Sequence, residues 1–514
     1  MSLDATLEQK LTIDRFYGFE INWWPAKIAE TAMFLVDHQA NRNLAEAIGQ
    51  APERLPISIT AHITHADALD LDWKAQLPAV AGQTFVFGNP PFLGHATRTD
   101  DQAEQLRRAW GTRDISRLDY VTAWHAKTLD LLAQRPGAFA FVTTNSIVQG
   151  DQVPRLFGPI TANGWRIAFA HRTFAWDSQA PGKAAVHCVI VGFTKDLTVK
   201  QRLFTYPSPK ADPEPVQVTT DINAYLADAP AALITKRNRP LSPEIVPAVF
   251  GNMARDEGNL IVENDDYPSV IADPVAAQYV RPFIGSRELL HNLPRWCLWL
   301  VDMDPADIKR SPILKERLEK VALMRSRSKA ASTRAMASTP HLFGQRSHRD
   351  VPHLCLPKVC SETRPYYIAA AIGPTTIASD LTFTIEDTDG LQFALVSSAM
   401  FIAWQKAIGG RLESRVRFAN TLTWNTFPVP ALTSATRAKI IAAGRGVLAA
   451  RALHPSRSLA EAYNPLAMDP ELLKAHHRLD KEVDTALGAS RRLNNERQRL
   501  ELLFELYRNL AADA

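Results

Sequence analysis

Asn89, Pro90, Pro91 and Phe92 stand directly after an apolar run and Gly88 in the stretch TFVFGNPPFLG, residues 84–94. Their types suit one kind of chemistry, reaction at the exocyclic amine of a nucleobase. Such an amine is a poor nucleophile because its lone pair is delocalised into the ring, so a catalyst must supply acceptors that favour a more tetrahedral nitrogen. The Asn89 side-chain oxygen and the Pro90 carbonyl can serve as those acceptors. Two prolines hold φ near about −65° and donate no backbone hydrogen bond, which keeps the corner stiff and its carbonyls free. Phe92 offers a flat apolar face on which an extruded base could stack, worth about 1 to 3 kcal/mol. A plain Asn-Pro turn after a strand is the alternative, and the flanking elements bear on the choice.

The run 84–87 reads as a buried strand, with Gly88 turning the backbone into the corner at the strand's carboxyl end, where open α/β sheets place their chemistry. Upstream, residues 16–21 read as a strand carrying Glu20 at its end. A helix follows, with Pro25 near its first turn and Ile28, Met33, Leu35 and Val36 along it. A carboxylate at such a strand end can accept hydrogen bonds from a ribose diol. A short strand over 59–64 leads to Asp67, with Asp70 and Asp72 as competitors. Exposed loop acids are the other reading of Glu20 and Asp67, but their order ahead of Asn89 favours nucleotide binding.

The NPPF sequence resembles motif IV of the amino-group methyltransferases, which use S-adenosyl-L-methionine and, with this variant, usually methylate adenine at N6. Glu20 matches that family's second motif, and Asp67 resembles the acid that contacts the cofactor's adenine. Further blocks sharpen the likeness: 118–132, 140–153, 171–193, 281–300, 356–367, 409–430 and the tail from Tyr463 to Leu510. Nearly end to end, they resemble the MmeI-like methyltransferase region of type IIL restriction-modification enzymes. The resemblance implies a Rossmann-like α/β methyltransferase sheet, an α+β target-recognition domain and a C-terminal helical region. It also implies a direct methyl transfer from S-adenosyl-L-methionine to adenine in double-stranded DNA, with Asn89, Pro90, Pro91 and Phe92 catalytic and Glu20 and Asp67 cofactor-binding.

One departure from the family stands out. Its Gly-rich cofactor loop precedes the acidic strand, whereas MSLDATLEQKLTID contains no glycine and cannot provide such a close backbone approach. The family's nuclease and helical connector also have no counterpart here. The expectation is an N-terminally truncated sheet with two open apolar edges, arising from a fragmentary gene, a misplaced start, or a split enzyme. In the last case a separate polypeptide would carry the nuclease and the glycine loop.

Composition fits a large globular protein: 514 residues, 46% hydrophobic, with four cysteines, Cys188, Cys297, Cys355 and Cys360. No stretch approaches the roughly 20 apolar residues of a membrane span. The first residues lack an apolar signal region, so a cytoplasmic location is expected. Cys355 and Cys360 have no second pair, so no metal site is expected. The net charge of +4 is unevenly placed. Between 325 and 364, eight cations (Arg325, Arg327, Lys329, Arg334, Arg346, Arg349, Lys358 and Arg364) face only Asp350 and Glu362. Interleaved Ser, Thr, Gln and His can bond phosphates or base edges, so the segment reads as a DNA-binding surface. A solvated basic loop is the plainer reading. Arg411, Arg415 and Arg417 form a second DNA-binding cluster.

The expected division is a partial catalytic domain over 1–203, a connector over 204–245, a target-recognition domain over 246–430 and a helical domain over 431–514. Strands are expected near 139–143, 166–170 and 185–193, and a helix over 305–330. Leu472, Ala475, Leu479, Val483 and Leu487, then Leu493, Leu500, Leu503, Phe504, Tyr507 and Leu510, keep helical spacing and read as packing stripes. Three functions remain open: an adenine DNA methyltransferase, an inactive sequence-specific DNA-binding remnant, and a protein glutamine methyltransferase. The last also uses an Asn-Pro-Pro loop, typically ending in Tyr, and the large basic region argues against it.

Overall fold

Tyr17–Glu20 (β1) and His62–His65 (β2) pair in parallel, with Glu20 opposite His65. The connection between parallel strands must cross over, and helix Trp23–Ile48 (α1) makes the crossing. The helix ends at Gly49, whose φ of 80° lies in the left-handed region that glycine adopts without a Cβ clash. This computed structural model describes residues 11–49, 59–115, 117–176, 186–208, 210–412 and 414–512. They form two compact units, one made of Met1–Thr143, Pro159–Arg166 and Ile190–Val199, the other of Thr144–Gly158, Ile167–Val189 and Lys200–Ala514.

In the first unit, Thr84–Gly88 (β3) pairs in parallel with Gly137–Thr144 (β4), from Thr84 opposite Gly137 to Gly88 opposite Phe141. Helices Asp100–Trp110 (α2) and Thr122–Leu131 (α3) lie between them in sequence. Glycine is required at position 137, because a Cβ there would sit 1.9 Å from the Thr84 carbonyl oxygen. Phe139 and Phe141 on β4 are buried against the His125 ring and Phe193. Burial pushes His125 down to about 4, so it is a neutral core residue.

Two expectations need correction here. The strand 84–87 is not buried: β3 pairs only with β4 among the described residues, and Phe85 and Phe87 are 64% and 75% exposed. An edge strand lacks the second neighbour that would cover it. Gly88 ends the strand without a positive φ, so the corner is made by Asn89-Pro90-Pro91 rather than by a left-handed glycine.

In the second unit, short strands form two four-stranded sheets. One is ordered Ile261–Val262, Trp296–Leu298, Val280–Ile284, Ile377–Ala378, the other Ala370–Ile372, His353–Pro357, Thr382–Glu386, Val249–Phe250. Leu260, Val262, Phe283, Leu298 and Val321 share a core in this region. The helix expected over 305–330 is two helices, Asp307–Arg310 and Pro312–Ser326 (α4). Ser311 between them is extended and caps the Leu314 N–H, and a residue before proline avoids the helical region.

Helices Ser434–Ala452 (α5), Pro470–Ala486 (α6) and Glu496–Ala512 (α7) close the chain. Leu472, Ala475, Leu479, Val483 and Leu487 are all buried, as are Leu500, Leu503, Phe504 and Tyr507, so these are packing faces, whereas Leu493 precedes α7 and, like Leu510, is only half-buried. Phe504 and Tyr507 meet Trp404, which is fully buried. Among the described residues, no helix is long and apolar enough to cross a membrane.

Candidate active site and nucleic-acid surface

The corner after β3 leaves Asn89 and Pro91 exposed, Pro90 buried and Phe92 half-buried. A clamp that sequence reasoning missed fixes the next residue. The Leu93 N–H donates to the buried Asp119 carboxylate at 3.2 Å, and its carbonyl accepts from the Tyr120 N–H at 3.0 Å. Arg98 reaches the Leu118 carbonyl at 2.7 Å, which ties the far end of the loop to the same turn. These bonds tie the backbone immediately after the corner to the Leu118–Tyr120 turn.

The two acids lie at matching ends of the parallel pair. Glu20 Oε1 accepts from the Asn22 N–H at 2.9 Å and from its side-chain amide at 3.2 Å. Asp67, two residues past β2, accepts from the Leu69 N–H through Oδ1 and from Gln105 Nε2 through Oδ2, at 2.9 and 2.8 Å. Gln105 in turn accepts from the buried Tyr120 hydroxyl at 2.5 Å. Burial, reinforced by the Asp67 and Asp70 carboxylates, pushes that hydroxyl up to about 12, so it remains a donor. A hydrogen-bonded path therefore runs from Asp67 through Gln105 and Tyr120 to Leu93 beside the corner. Asp70 pairs with Arg108 at 2.9 Å, and Asp72 caps the N–H of Lys74, so both competitors have structural employment.

The basic segment divides when its side chains are placed. Arg327, Lys329, Arg334, Arg346 and Arg349 are exposed. Arg334 bonds the carbonyls of Ser328 and Lys329, Arg346 that of Phe343, and Arg349 pairs with Glu386. Lys358 is half-buried over the Phe250 ring, 4.7 Å from its centre, and Arg364 is also half-buried. Arg325 must be withdrawn from the DNA-contacting set: it is 0% exposed, and its guanidinium donates to five backbone carbonyls. On the Arg415–Arg417 strand, Arg415 and Arg417 are exposed around buried Val416, while Arg411 bonds the carbonyls of Ser414 and Lys406. Burial lowers the Arg411 pKa.

The first unit thus sets two acids and a proline corner at the carboxyl ends of parallel strands, and the second unit bears exposed cations. Three family models match in order along the chain: the MmeI DNA-methyltransferase domain over residues 1–205, the MmeI target recognition domain over 228–431 and the MmeI C-terminal domain over 432–514. The chain belongs to the MmeI family. It is similar to the structure of the Type IIL restriction-modification enzyme MmeI in complex with DNA, at 37% identity and a TM-score of 0.86, covering 100% of this chain and 68% of that one. It is also 32% identical over 505 residues to DNA methyltransferase A of Bacillus subtilis (strain 168). That match takes in 97% of this chain but 56% of the relative's length.

Proposed function

We propose that this chain is the modification and target-recognition part of a restriction-modification enzyme, transferring a methyl group from S-adenosyl-L-methionine to the N6 amine of adenine in double-stranded DNA. The observation that carries the reading is the Asn89-Pro90-Pro91-Phe92 corner at the carboxyl end of β3, within the segment matched by the family's DNA-methyltransferase model.

The donor set fits the cofactor. Glu20 and Asp67 present carboxylate oxygens at the same ends of paired parallel strands, suited to a ribose diol and an adenine amine. The cofactor, when bound, supplies an electrophilic methyl group on a sulfonium. The chain's own residues do the rest. Asn89 Oδ1 and the Pro90 carbonyl accept from the target amine and stabilise charge as it develops there. Phe92 stacks the extruded base. Proton loss from the amine goes to water.

The functional parts are the catalytic segment 1–203, the connector 204–245, the recognition segment 246–430 and the helical segment 431–514. Target reading falls to the exposed cations Arg327, Lys329, Arg334, Arg346, Arg349, Arg415 and Arg417, since Arg to guanine is the commonest specific contact. Action on chromosomal DNA implies the cytoplasm of its host.

The open edge of β3, together with the uncovered face that bears Phe85 and Phe87, favours a second element in the reading. A strand bearing the glycine loop adds to that edge, supplied by polypeptide outside these 514 residues, which in a split enzyme would also carry the nuclease. An inactive DNA-binding remnant is the competing reading, because an incomplete cradle would not hold the cofactor.

Labelled S-adenosyl-L-methionine, double-stranded DNA and a glutamine-bearing peptide test these readings together, first with the chain alone and then with an added N-terminal segment from a full-length relative. Label recovered as N6-methyladenine is the expected result. Label on the peptide, or on no acceptor even after reconstitution, sinks the assignment, and micromolar cofactor affinity of the chain alone sinks the remnant.

A further inference from the structure

Arg325 sits within the most basic stretch of the sequence and yet reaches no solvent. Its Nε donates to the Arg255 carbonyl at 3.0 Å. Nη2 donates to Ala254 and Leu342 at 2.9 and 2.8 Å, and Nη1 to Thr339 and Met336 at 2.9 and 3.2 Å. One planar fork thus ties residues 254–255 to residues 336–342, two segments remote from each other in sequence. Only a guanidinium offers so many donors in a fixed geometry.

The same segments are joined again by their backbones. Gly344 N–H donates to the Ala254 carbonyl at 3.2 Å, and Met253 and Gln345 exchange bonds of 3.1 and 3.0 Å. Asn252 Oδ1 accepts from the N–H groups of Ser347 and His348 at 2.7 and 3.0 Å. Gly344 is needed for the approach, since a Cβ there would lie 2.8 Å from Arg255 Cδ.

The held loop is strained. Arg255 and Glu257 both have φ of 52° and Gly258 has φ of 83°, three left-handed residues within four positions. Strain of this kind persists only where surrounding contacts over-determine the backbone, and it gathers at ligand-contacting loops. The two carbonyls that Arg325 fixes here, Ala254 and Arg255, are those at the entry to the strained turn. On the outward side of the stapled segments stand the exposed Arg346 and Arg349. The five partners of Arg325 are neutral carbonyls, with the Asp256 carboxylate acting on it through its field.

We propose that Arg325 is a positioning residue for target recognition: it locks residues 253–258 and 336–349 into one preformed DNA-reading surface. The inference rests on the reading of this unit as the one that recognises DNA. A surface ordered before its ligand arrives loses less entropy on binding, and the gain goes to contacts that require exact placement, namely those that discriminate between bases.

The 514-residue chain is used to select duplexes from a random-core library, and the enriched duplex is compared with a scrambled one for wild type, Arg325→Lys and Arg325→Met. Lysine keeps the charge and loses the fork. Methionine loses both. Both variants should lower the ratio of specific to non-specific affinity by about tenfold or more, toward purely electrostatic binding. The slope of log affinity against log salt should stay unchanged in both variants, because Arg325 reaches no phosphate. Undiminished discrimination in either folded variant overturns the proposal. Hydrogen exchange of the wild type keeps the test independent of variant folding. The amides of Met253, Gly344 and Gln345 should be slow in the free chain and gain little with the enriched duplex, whereas free exchange until duplex is added refutes a preformed surface. A wild type that enriches no duplex would instead remove the DNA-recognition reading itself.

Discussion

Phenylalanines meet opposite fates on the open strand of the first unit and in the core of the second. Phe85 and Phe87 on β3 stand largely in solvent, as do Trp23 and Trp24 at the start of α1, at 55% and 65% exposed. Phe401 and Phe427 of the other unit are fully buried and pack edge-on within 5.4 Å of each other, with Trp424 against Phe401. The polar groups divide the same way. The second unit encloses satisfied networks around Arg325, around Asp480 with Tyr366, and around Asp484 with Arg499. The first unit keeps its acids Glu20 and Asp67 near the surface. The difference lies in packing: these rings of the second unit are enclosed by their own neighbours, whereas the open strand and the helix start of the first unit leave theirs in solvent.

The contrast can be broken at several points. The largest effect is expected at the corner: Asn89→Ala in the reconstituted enzyme should cut single-turnover methylation by about 100-fold or more, the cost typical of one preorganised polar group, and leave DNA affinity intact. A rate within tenfold of wild type would exclude Asn89 from its role.

Next in size is a pair of glycine substitutions. Gly137→Ala forces a Cβ onto the Thr84 carbonyl and should destabilise the first unit by about 1 to 3 kcal/mol. Gly446→Ala, inside α5 with nothing near its Cβ position, should stabilise the second unit by about 0.5 to 1 kcal/mol. Limited proteolysis resolved by fragment reads both, and equal responses would erase the packing difference between β4 and α5.

The buried network of α6 supplies a pH signature. Burial pushes Asp480 up to about 6, while the Ala399 N–H and the Tyr366 hydroxyl hold its oxygens. A carboxyl whose folded pKa is raised binds its proton more tightly in the folded state. Its contribution to stability is complete below the unfolded value and is lost as pH rises through about 6. Asp480→Asn should therefore flatten the stability change between about pH 4 and 7, removing a slope on the order of 2 kcal/mol in total. Denaturant unfolding at both ends of that window decides, and an unaltered slope counts against a raised Asp480.

The smallest effect sharpens the comparison most. Phe87→Ser should change the stability of the chain alone by no more than about 0.5 kcal/mol, because the ring is already in water. It should nevertheless weaken reconstitution with the N-terminal segment. A large loss in the chain alone would mean that the ring is covered.

Much was legible from local patterns. The period-2 and period-3.6 spacing of apolar residues located β4, α6 and α7, because one buried face imposes that spacing whatever the fold. The stiffness and acceptor chemistry of Asn89-Pro90-Pro91-Phe92 also follow from residue type alone, as does the marking of Glu20 and Asp67 by strand endings. Other decisions needed the chain folded. Charge density could not reveal that Arg325 points inward, since the carbonyls that claim it come from Ala254, Arg255 and a turn more than ten residues downstream. Nor could it reveal Asp119, Gln105 and Tyr120, whose tie between Leu93 and Asp67 carries no motif. Sequence sets what each side chain can donate, accept or bury; which of those capacities is used depends on partners that only long-range packing brings within hydrogen-bond reach.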